Sequence, residues 1–302
     1  MKKPHKAVIT ALLPQNQSSE LIRGRMVEAI HFEDTEIERV DNNLEPIAVR
    51  EKELDSDALC YFYENKESFR DEFIDELEQC DISSDEYVTF CDVIAKEWIT
   101  GFQSERVLRL KKSVHDYFQE KFRGHIRFDE IIQKPINELS NVKPLISTET
   151  ISKILSINHQ MLYEHIEKWK DLHPNHDNIS SSDVFLRRGL QLGANSNTSK
   201  QYIEQDFISS YSMAVSVAEQ FSQFESPNFP VHINGELALF EQRILFFSPF
   251  IPNMEVQELE FGVIPSENPL PIHYQGKHGG IHEYIIDPAP FQKAQSILDS
   301  TS

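Results

Sequence analysis

The chain has 302 residues and a strongly acidic balance, with 49 Asp and Glu against 29 Lys and Arg and a formal net charge of −20 at pH 7. Because phosphate backbones and anionic lipid surfaces need basic partners, this charge argues against nucleic acid or a membrane as a general ligand. Hydrophobic residues make up 39% and charged residues 26%, which is typical of a soluble globular chain with one large domain or two ordinary ones.

The cysteines and the N-terminus indicate the compartment. The three cysteines are odd in number and match no zinc spacing, so buried free thiols in a reducing cytosol are expected; they are Cys60, Cys80 and Cys91. The first apolar run, Ala7 to Leu13, is cut by Pro14 and has no small-residue cleavage site, which argues against a cleaved export signal. No apolar stretch is long enough to cross a bilayer.

Helical periodicity dominates the first half of the chain, where apolar residues recur at helical spacing between acidic ones. Lys143-Pro144 is a plausible boundary, and a long amphipathic helix is predicted after it, from Thr148 to about Leu172. We therefore predict an acidic helical lobe over residues 1–143 and a second domain over residues 144–302. The helices predicted in the lobe are Glu20–His31, Asp55–Cys80, Ser84–Ile99, Ser104–Phe122 and Ile126–Ser140.

The pattern changes after His173-Pro174, where short β-like runs are separated by clusters of Asn, Ser and Gly. One helix, Ser212 to Phe224, interrupts them. Helices followed by mostly short strands predict an α+β fold. The predicted strands are Asp183–Arg188, Val231–Ile233, Ile244–Phe247, Val256–Ile264 and Glu283–Ile286.

The stretch Gln257–Ile264 alternates polar and apolar residues, which predicts a half-buried strand. On such a strand Glu258 and Glu260 face one side, and Leu259 and Phe261 face the other. Two neighbouring carboxylates repel each other, so they are either solvated or used by a ligand.

Three motifs follow one another in the second half of the chain. Val184–Gly189 is a strand ending in two arginines and a glycine, and Phe207–Ser212 is a strand of hydroxyls that leads into a helix. The strand with Glu258 and Glu260 comes third. This order of arginine, serine and paired glutamate resembles the mono-ADP-ribosyltransferase family of the arginine–serine–glutamate class, over Asp183 to Pro265.

The resemblance implies a mixed β-sandwich core and a reaction. NAD would be the substrate, no metal would be needed, and ADP-ribose would pass to an arginine of a target protein with release of nicotinamide. In the family, a glutamate at the position of Glu258 goes with arginine as the modified side chain. The family habit also implies an effector or toxin that reaches a host cell without a cleaved signal peptide and modifies a host protein.

The first motif would hold the phosphates of NAD. Arg188 directly precedes Gly189 and so matches the family's usual Arg-Gly pair, which makes it the preferred ligand. A register slip of one residue would give this role to Arg187. Arginine suits the role because its planar guanidinium presents a fork of donors to phosphate oxygens.

The second and third motifs would supply the catalytic groups. Ser209 matches the first serine of the family's Ser-Thr-Ser motif, with Ser210 next and Tyr211 in place of the last serine. The resemblance assigns Ser209 to hold the catalytic glutamate, which is Glu260. That carboxylate would bind a ribose hydroxyl and stabilise the developing cation, while Glu258 would lie nearer the acceptor.

Two further predictions concern the surroundings of the motifs. In the family the loop before the glutamate strand, here Ser248–Met254, recognises the target, and Phe250 is a plausible exposed contact. The rival chemistry is a metal site at His273, His278 and His282, but the two glycines between the last two exclude a helical ligand spacing.

Two other functions remain open at this point. An NAD glycohydrolase would use the same residues without a protein acceptor. A binding module would combine an acidic helical scaffold with an inactive second half. Turnover of NAD by the purified protein distinguishes the enzymes from the module.

Overall fold

The computed structural model describes most of the chain between residues 58 and 286. The helices predicted at Glu20–His31 and Ile126–Ser140 lie outside the described residues. Those residues are 58–98, 104–121, 141–172, 184–192, 202–203, 208–222, 229–254, 256, 258–266, 270–278 and 281–286.

The described part of the first half is helical, as predicted. Residues 58–64 form a helical segment, and four longer helices follow. Each has a buried apolar stripe on one side, which is the reason that the periodicity predicted them. They are α1 (Lys66–Gln79), α2 (Ser84–Lys96), α3 (Glu105–Lys121) and α4 (Thr148–Leu172).

The second half forms a mixed sheet with one helix. Its elements are β1 (Phe185–Leu192), β2 (Tyr202–Ile203), β3 (Ser209–Ser212), α5 (Val215–Ser222), β4 (Phe229–Glu236), β5 (Ile244–Phe247), β6 (Glu260–Val263), β7 (Leu270–His278) and β8 (Ile281–Ile286). Within the described residues the strand order is β2-β7-β8-β4-β1-β3-β6-β5, with β4 and β8 parallel and the other neighbours antiparallel. The predicted α+β class is therefore confirmed.

The sequence pattern did not predict β2 and β7. Pro271 and Gly276 lie inside β7, and both residue types ordinarily indicate a turn. The strand forms because β8 pairs with it along most of its length, with an irregularity near Gly276. Tertiary pairing thus overrides the local preference of these residues.

Helix α4 packs against β5 and joins the helices to the sheet in one continuous core. Asn158 of α4 is buried, and its side-chain amide donates to the carbonyl oxygen of Leu245 at 2.9 Å. Phe62 meets Phe247 of β5 edge to face, with ring centroids 5.0 Å apart. Within the described residues, no helix combines the length and apolarity needed to span a membrane.

The loop between β5 and β6 is held by the helical region. Phe250 is 0% exposed and packs among Phe69, Phe73 and Phe247, so the prediction that it is an exposed contact is wrong. Its ring fills the space under α1 because the loop folds inward. Arg70 of α1 fixes this arrangement by donating to carbonyl oxygens of the loop, those of Ile251 at 3.1 Å and of Met254.

Helix α5 lies directly on β1 because β1 contains a glycine at the point of contact. A Cβ atom at Gly189 would lie 1.9 Å from the carbonyl oxygen of Ala218 and 2.7 Å from the amide nitrogen of Ser222. Opposite Gly189 in β4, His232 is buried, and burial lowers its pKa to about 4 despite a hydrogen bond with the backbone of Ala218. Helix α5 therefore packs against a glycine and a neutral imidazole.

We expect Gly189→Ala to destabilise the fold by about 3 kcal/mol, because the added methyl group overlaps helix backbone that cannot move independently. The measurement is the urea midpoint of the purified variant. Ala238→Ser, an exposed change just after β4, is the control and should leave the midpoint unchanged. A Gly189→Ala variant with the wild-type midpoint would contradict this packing.

Candidate active site

One row of cross-strand partners brings together residues from the three predicted motifs. Arg187 of β1 pairs with Ser212 of β3, and Ser212 pairs with Glu260 of β6. Directly opposed residues in a sheet point to the same face. An arginine, a serine and a glutamate therefore lie side by side on three adjacent strands.

The serines of β3 divide between the two faces of the sheet. Ser210 shares the face of Glu260, and its hydroxyl donates to Oε1 of Glu260 at 2.6 Å. Ser209 pairs with Val263, is 5% exposed and faces the opposite side. The hydrogen bond predicted from Ser209 thus comes from Ser210. Side chains alternate along the strand, and Ser210 is the one on the face of Glu260.

Ser212 shares the same face and connects two neighbouring segments. Its hydroxyl donates to the carbonyl oxygen of Glu258 and accepts from the amide of Ala214 at 2.9 Å. The turn before β6 is thereby tied to the start of α5. Ser212 was not among the predicted site residues, although alternation from Ser210 along β3 is a signal that points to it.

The two arginines of β1 lie on opposite faces. Arg187 is 5% exposed, and its Nη1 donates to the carbonyl oxygens of Met213 at 2.6 Å and Phe185 at 3.2 Å. The guanidinium carbon of Arg188 lies 5.9 Å from the ring centroid of Tyr211, on the other face. Arg187, predicted as the alternative phosphate ligand, lies in the row with the glutamate, whereas the preferred Arg188 does not.

The two glutamates do not share a strand. Strand β6 begins at Glu260, and Glu258 lies in the turn before it, so the prediction that both sit on one strand face is wrong. The physical reason is Leu259, whose φ of 40° is in the left-handed region that a bulky residue rarely adopts. Its side chain is fully buried and its amide donates to the carbonyl oxygen of Val256 at 2.9 Å, which stabilises this conformation.

A residue of the helical region also reaches the glutamate. Trp98, in the turn after α2, donates from Nε1 to Oε1 of Glu260 at 2.9 Å. Its ring meets Phe246 of β5 edge to face, with centroids 6.0 Å apart. No sequence pattern predicted Trp98 as a site residue, because Trp98 and Glu260 are 162 positions apart.

The site lowers the acidity of both carboxyl groups. Burial raises the pKa of Glu260, and the hydrogen bonds from Ser210 and Trp98 oppose this by favouring the ionised form. Burial and the charge of Glu260 together raise the pKa of Glu258 to about 7. Near neutral pH Glu258 is therefore partly protonated, and it lies beside a second carboxyl group whose pKa burial also raises.

Other features of the described residues lie apart from this row. A shallow pocket lined by α4 and the segment before β5 includes His159, Tyr163 and Glu241, and none of the residues of the row lines it. The described residues contain no group of three or more His, Cys, Asp or Glu side chains that could hold a metal ion.

Comparison with known proteins gives little further information. No family model and no curated protein sequence matches the chain. One solved structure that it resembles is the crystal structure of the ADP-ribosyltransferase Vis in complex with the inhibitor M6, at 11% identity and a TM-score of 0.32. The match covers 94% of this chain and 89% of that one. A likeness this distant carries no argument about function, which depends on the residues of the chain itself.

The raised pKa of Glu258 predicts how stability changes with pH. Since its pKa is about 7 in the folded chain against a usual 4.5, its stabilising contribution is complete below pH 4.5 and is lost as the pH rises through 7. Glu258→Gln removes the buried charge, so the variant should be more stable than wild type by about 2 kcal/mol at pH 8 and similar to it at pH 4.5.

Urea unfolding of both proteins at pH 4.5 and pH 8 measures this difference. Glu64→Gln, at an exposed position before α1, controls for the loss of one negative charge from an acidic protein. Equal stability of Glu258→Gln and wild type at pH 8 would show that the Glu258 carboxylate is not desolvated.

Proposed function

We propose that the chain transfers ADP-ribose from NAD to an arginine side chain of a protein and releases nicotinamide. The observation that carries the proposal is the row of Arg187, Ser212 and Glu260 on adjacent strands, with Ser210 bonded to the same glutamate. The row contains the three residue types of the arginine–serine–glutamate class in their expected order. The row differs from the preferred alignment by one residue, because it contains Arg187 instead of Arg188 and the serine bonded to the glutamate is Ser210 instead of Ser209.

The reaction makes a specific demand on the glutamate. The bond between nicotinamide and the ribose breaks with its electron pair going to nicotinamide, which leaves positive charge on the ribose. A fixed negative charge next to that position lowers the barrier because it needs no reorganisation when the charge develops. In the proposal Glu260 is this group, and the donors to its Oε1 favour its ionised form and hold it in place.

Arg187 serves the phosphates of NAD in the proposal. Its guanidinium lies in the same row as Glu260 and is fixed through Nη1 by the carbonyl oxygen of Met213. A fixed arginine presents its planar donors in one orientation, which is the geometry that favours a diphosphate. Gly189 contributes indirectly, because it lets α5 lie against β1 beside Arg187.

Glu258 serves the acceptor in the proposal. A carboxyl group with a pKa of about 7 exchanges its proton readily near neutral pH, which suits a group that takes up the proton lost when an arginine nitrogen bonds to the ribose. Its position in the turn, outside the row, separates it from the group that stabilises the cation. Both features support an arginine as the modified residue.

One observation favours a second candidate, an NAD glycohydrolase with the same site. In the family that the chain resembles, the loop before the glutamate strand recognises the target protein. Here Phe250 of this loop is buried, and Arg70 fixes the backbone of the loop. With water as the acceptor, such a loop needs no exposed aromatic residue. The setting of an effector that modifies a host protein belongs to the first candidate and is supported by the resemblance alone.

The test is to incubate the purified protein with NAD labelled on the adenylate, in the presence and absence of cell extract. Transfer predicts labelled protein bands whose label survives denaturation and is sensitive to agents that cleave ADP-ribosyl-arginine. Hydrolysis predicts free labelled ADP-ribose without labelled bands. Intact NAD under both conditions would exclude both enzymes and favour the binding module.

Glu260→Gln and Glu258→Gln should separate the two steps. Glu260→Gln keeps the shape of the side chain and removes its charge, so NAD turnover should fall about 10²–10³-fold with or without an acceptor. Glu258→Gln should retain hydrolysis of NAD and lose transfer to arginine. Agmatine, a small guanidine, serves as acceptor in the assay, and Glu241→Gln in the distant pocket is the control.

These variants can also contradict the proposal. Transfer to agmatine at the wild-type rate by Glu258→Gln would remove its role at the acceptor. Full NAD turnover by Glu260→Gln would overturn the assignment of the site.

Substitution of neighbours tests the register of the site. Arg187→Lys should weaken NAD binding by about 2 kcal/mol, roughly thirtyfold in Kd, because lysine lacks the planar fork. Arg188→Lys, on the opposite face, should bind NAD like wild type. Likewise Ser210→Ala should lower turnover, whereas Ser209→Ala should not. Calorimetric titration with NAD measures binding, and the reverse pattern would restore the alignment with Arg188 and Ser209.

A further inference from the structure

Glu260 receives hydrogen bonds from two distant parts of the chain. Ser210 donates at 2.6 Å and the indole of Trp98 at 2.9 Å, and both bonds end on Oε1. Rotation of the carboxylate would break both bonds, so together they fix its plane as well as its direction. Among the described contacts this leaves Oε2 as the oxygen that can accept a hydrogen bond from a ribose hydroxyl.

The position of Trp98 does not depend on the glutamate alone. Its ring packs edge to face against Phe246, with an interplanar angle of 72°. The preceding residue, Glu97, accepts a hydrogen bond from Ser104 and forms an ion pair with Arg106. The turn after α2 is therefore anchored on both sides, and the indole reaches Glu260 from a fixed position.

The indole N–H of Trp98 is a group that packing alone does not require. A phenylalanine at this position would keep an aromatic contact with Phe246 but would lose the N–H that points at Glu260. The indole nitrogen is a donor and never an acceptor. A donor aimed at a carboxylate in a half-buried site forms a charge-assisted hydrogen bond, which favours the ionised carboxylate.

We propose that Trp98 is a positioning residue for Glu260, so that the helical region supplies part of the active site. The inference rests on the proposed function of Glu260 in the cleavage of NAD. In this role Trp98 acts through its hydrogen bond to the glutamate.

The inference makes a prediction about pH. The charged groups around the Glu260 carboxylate are Glu258 in the preceding turn, Arg187 in the same row and the Glu97–Arg106 pair beside Trp98. Removing the indole N–H leaves these groups in place and removes one bond to the ionised form. The pKa of Glu260 should then rise. As the pH is lowered, activity that needs the ionised carboxylate should therefore be lost at a higher pH than in the wild type.

Trp98→Phe tests this by steady-state NAD turnover between pH 5 and pH 9. We expect kcat to fall about tenfold with an unchanged KM for NAD, and the acidic limb of the profile to move up by about one pH unit. Trp169→Phe is the matched control, because Trp169 is the other of the two tryptophans and is buried in α4. It should leave the profile unchanged.

A second measurement does not require activity. In the Trp169→Phe protein Trp98 is the single tryptophan, and protonation of Glu260 should change its fluorescence in one transition as the pH is lowered. Adding Glu260→Gln should abolish this transition. If wild type turns over no NAD, the proposed function fails, while this titration still decides whether Trp98 senses Glu260.

Three outcomes would overturn the inference. The first is a fluorescence profile that is the same with and without Glu260→Gln. The second is a Trp98→Phe protein with wild-type kcat and an unshifted profile. The third is a Trp98→Phe protein with increased kcat or a lowered KM, which would make Trp98 a cover over the site. A Trp98→Phe protein that fails to fold leaves the single-tryptophan titration as the deciding measurement.

Discussion

The position of β3 between β1 and β6 determines the whole candidate site. Its backbone pairs with β1 on one side and β6 on the other, and this double pairing places Arg187, Ser212 and Glu260 in one row. Side chains alternate along a strand, so a shift of one residue in either pairing would send one of these groups to the opposite face. Gly262 contributes to the register of β6, because a Cβ there would lie 1.9 Å from the ring of Phe246 in the neighbouring β5.

The helices and the sheet depend on each other for their cores. Helix α4 buries its apolar stripe against β5, and its Asn158 satisfies a backbone carbonyl of that strand. On the other side of the loop, Arg70 of α1 donates to the carbonyl oxygens of Ile251 and Met254. The segment leading to Glu260 is therefore supported from two helices, which is the kind of rigid support that a preorganised carboxylate requires.

The sequence predicted the helices and strands better than it predicted the face of the sheet on which each side chain lies. The periodic stripes of α1 to α4 and the hydrophobic run of β5 carry enough signal to place these elements, whose ends agree within a few residues except at the start of α1. There the helix predicted over Asp55–Cys80 is interrupted by a turn at Asn65. Arg187 and Arg188 are identical neighbours, as are Ser209 and Ser210, so a local motif cannot tell which member of each pair faces the glutamate. That information lies in the pairing of strands distant in sequence. Trp98 could not be found at all, because its partner is set by tertiary packing rather than by spacing.

The distance along the chain between Trp98 and Glu260 has a consequence for biosynthesis. During translation the tryptophan leaves the ribosome long before the glutamate, and the helices emerge without the sheet against which they pack. Contacts between such distant positions form late, because the loop between them must first be closed. A partly synthesised chain therefore has no assembled site, and in the cell that makes it this delay would keep any NAD-consuming activity absent until the last strands have been added.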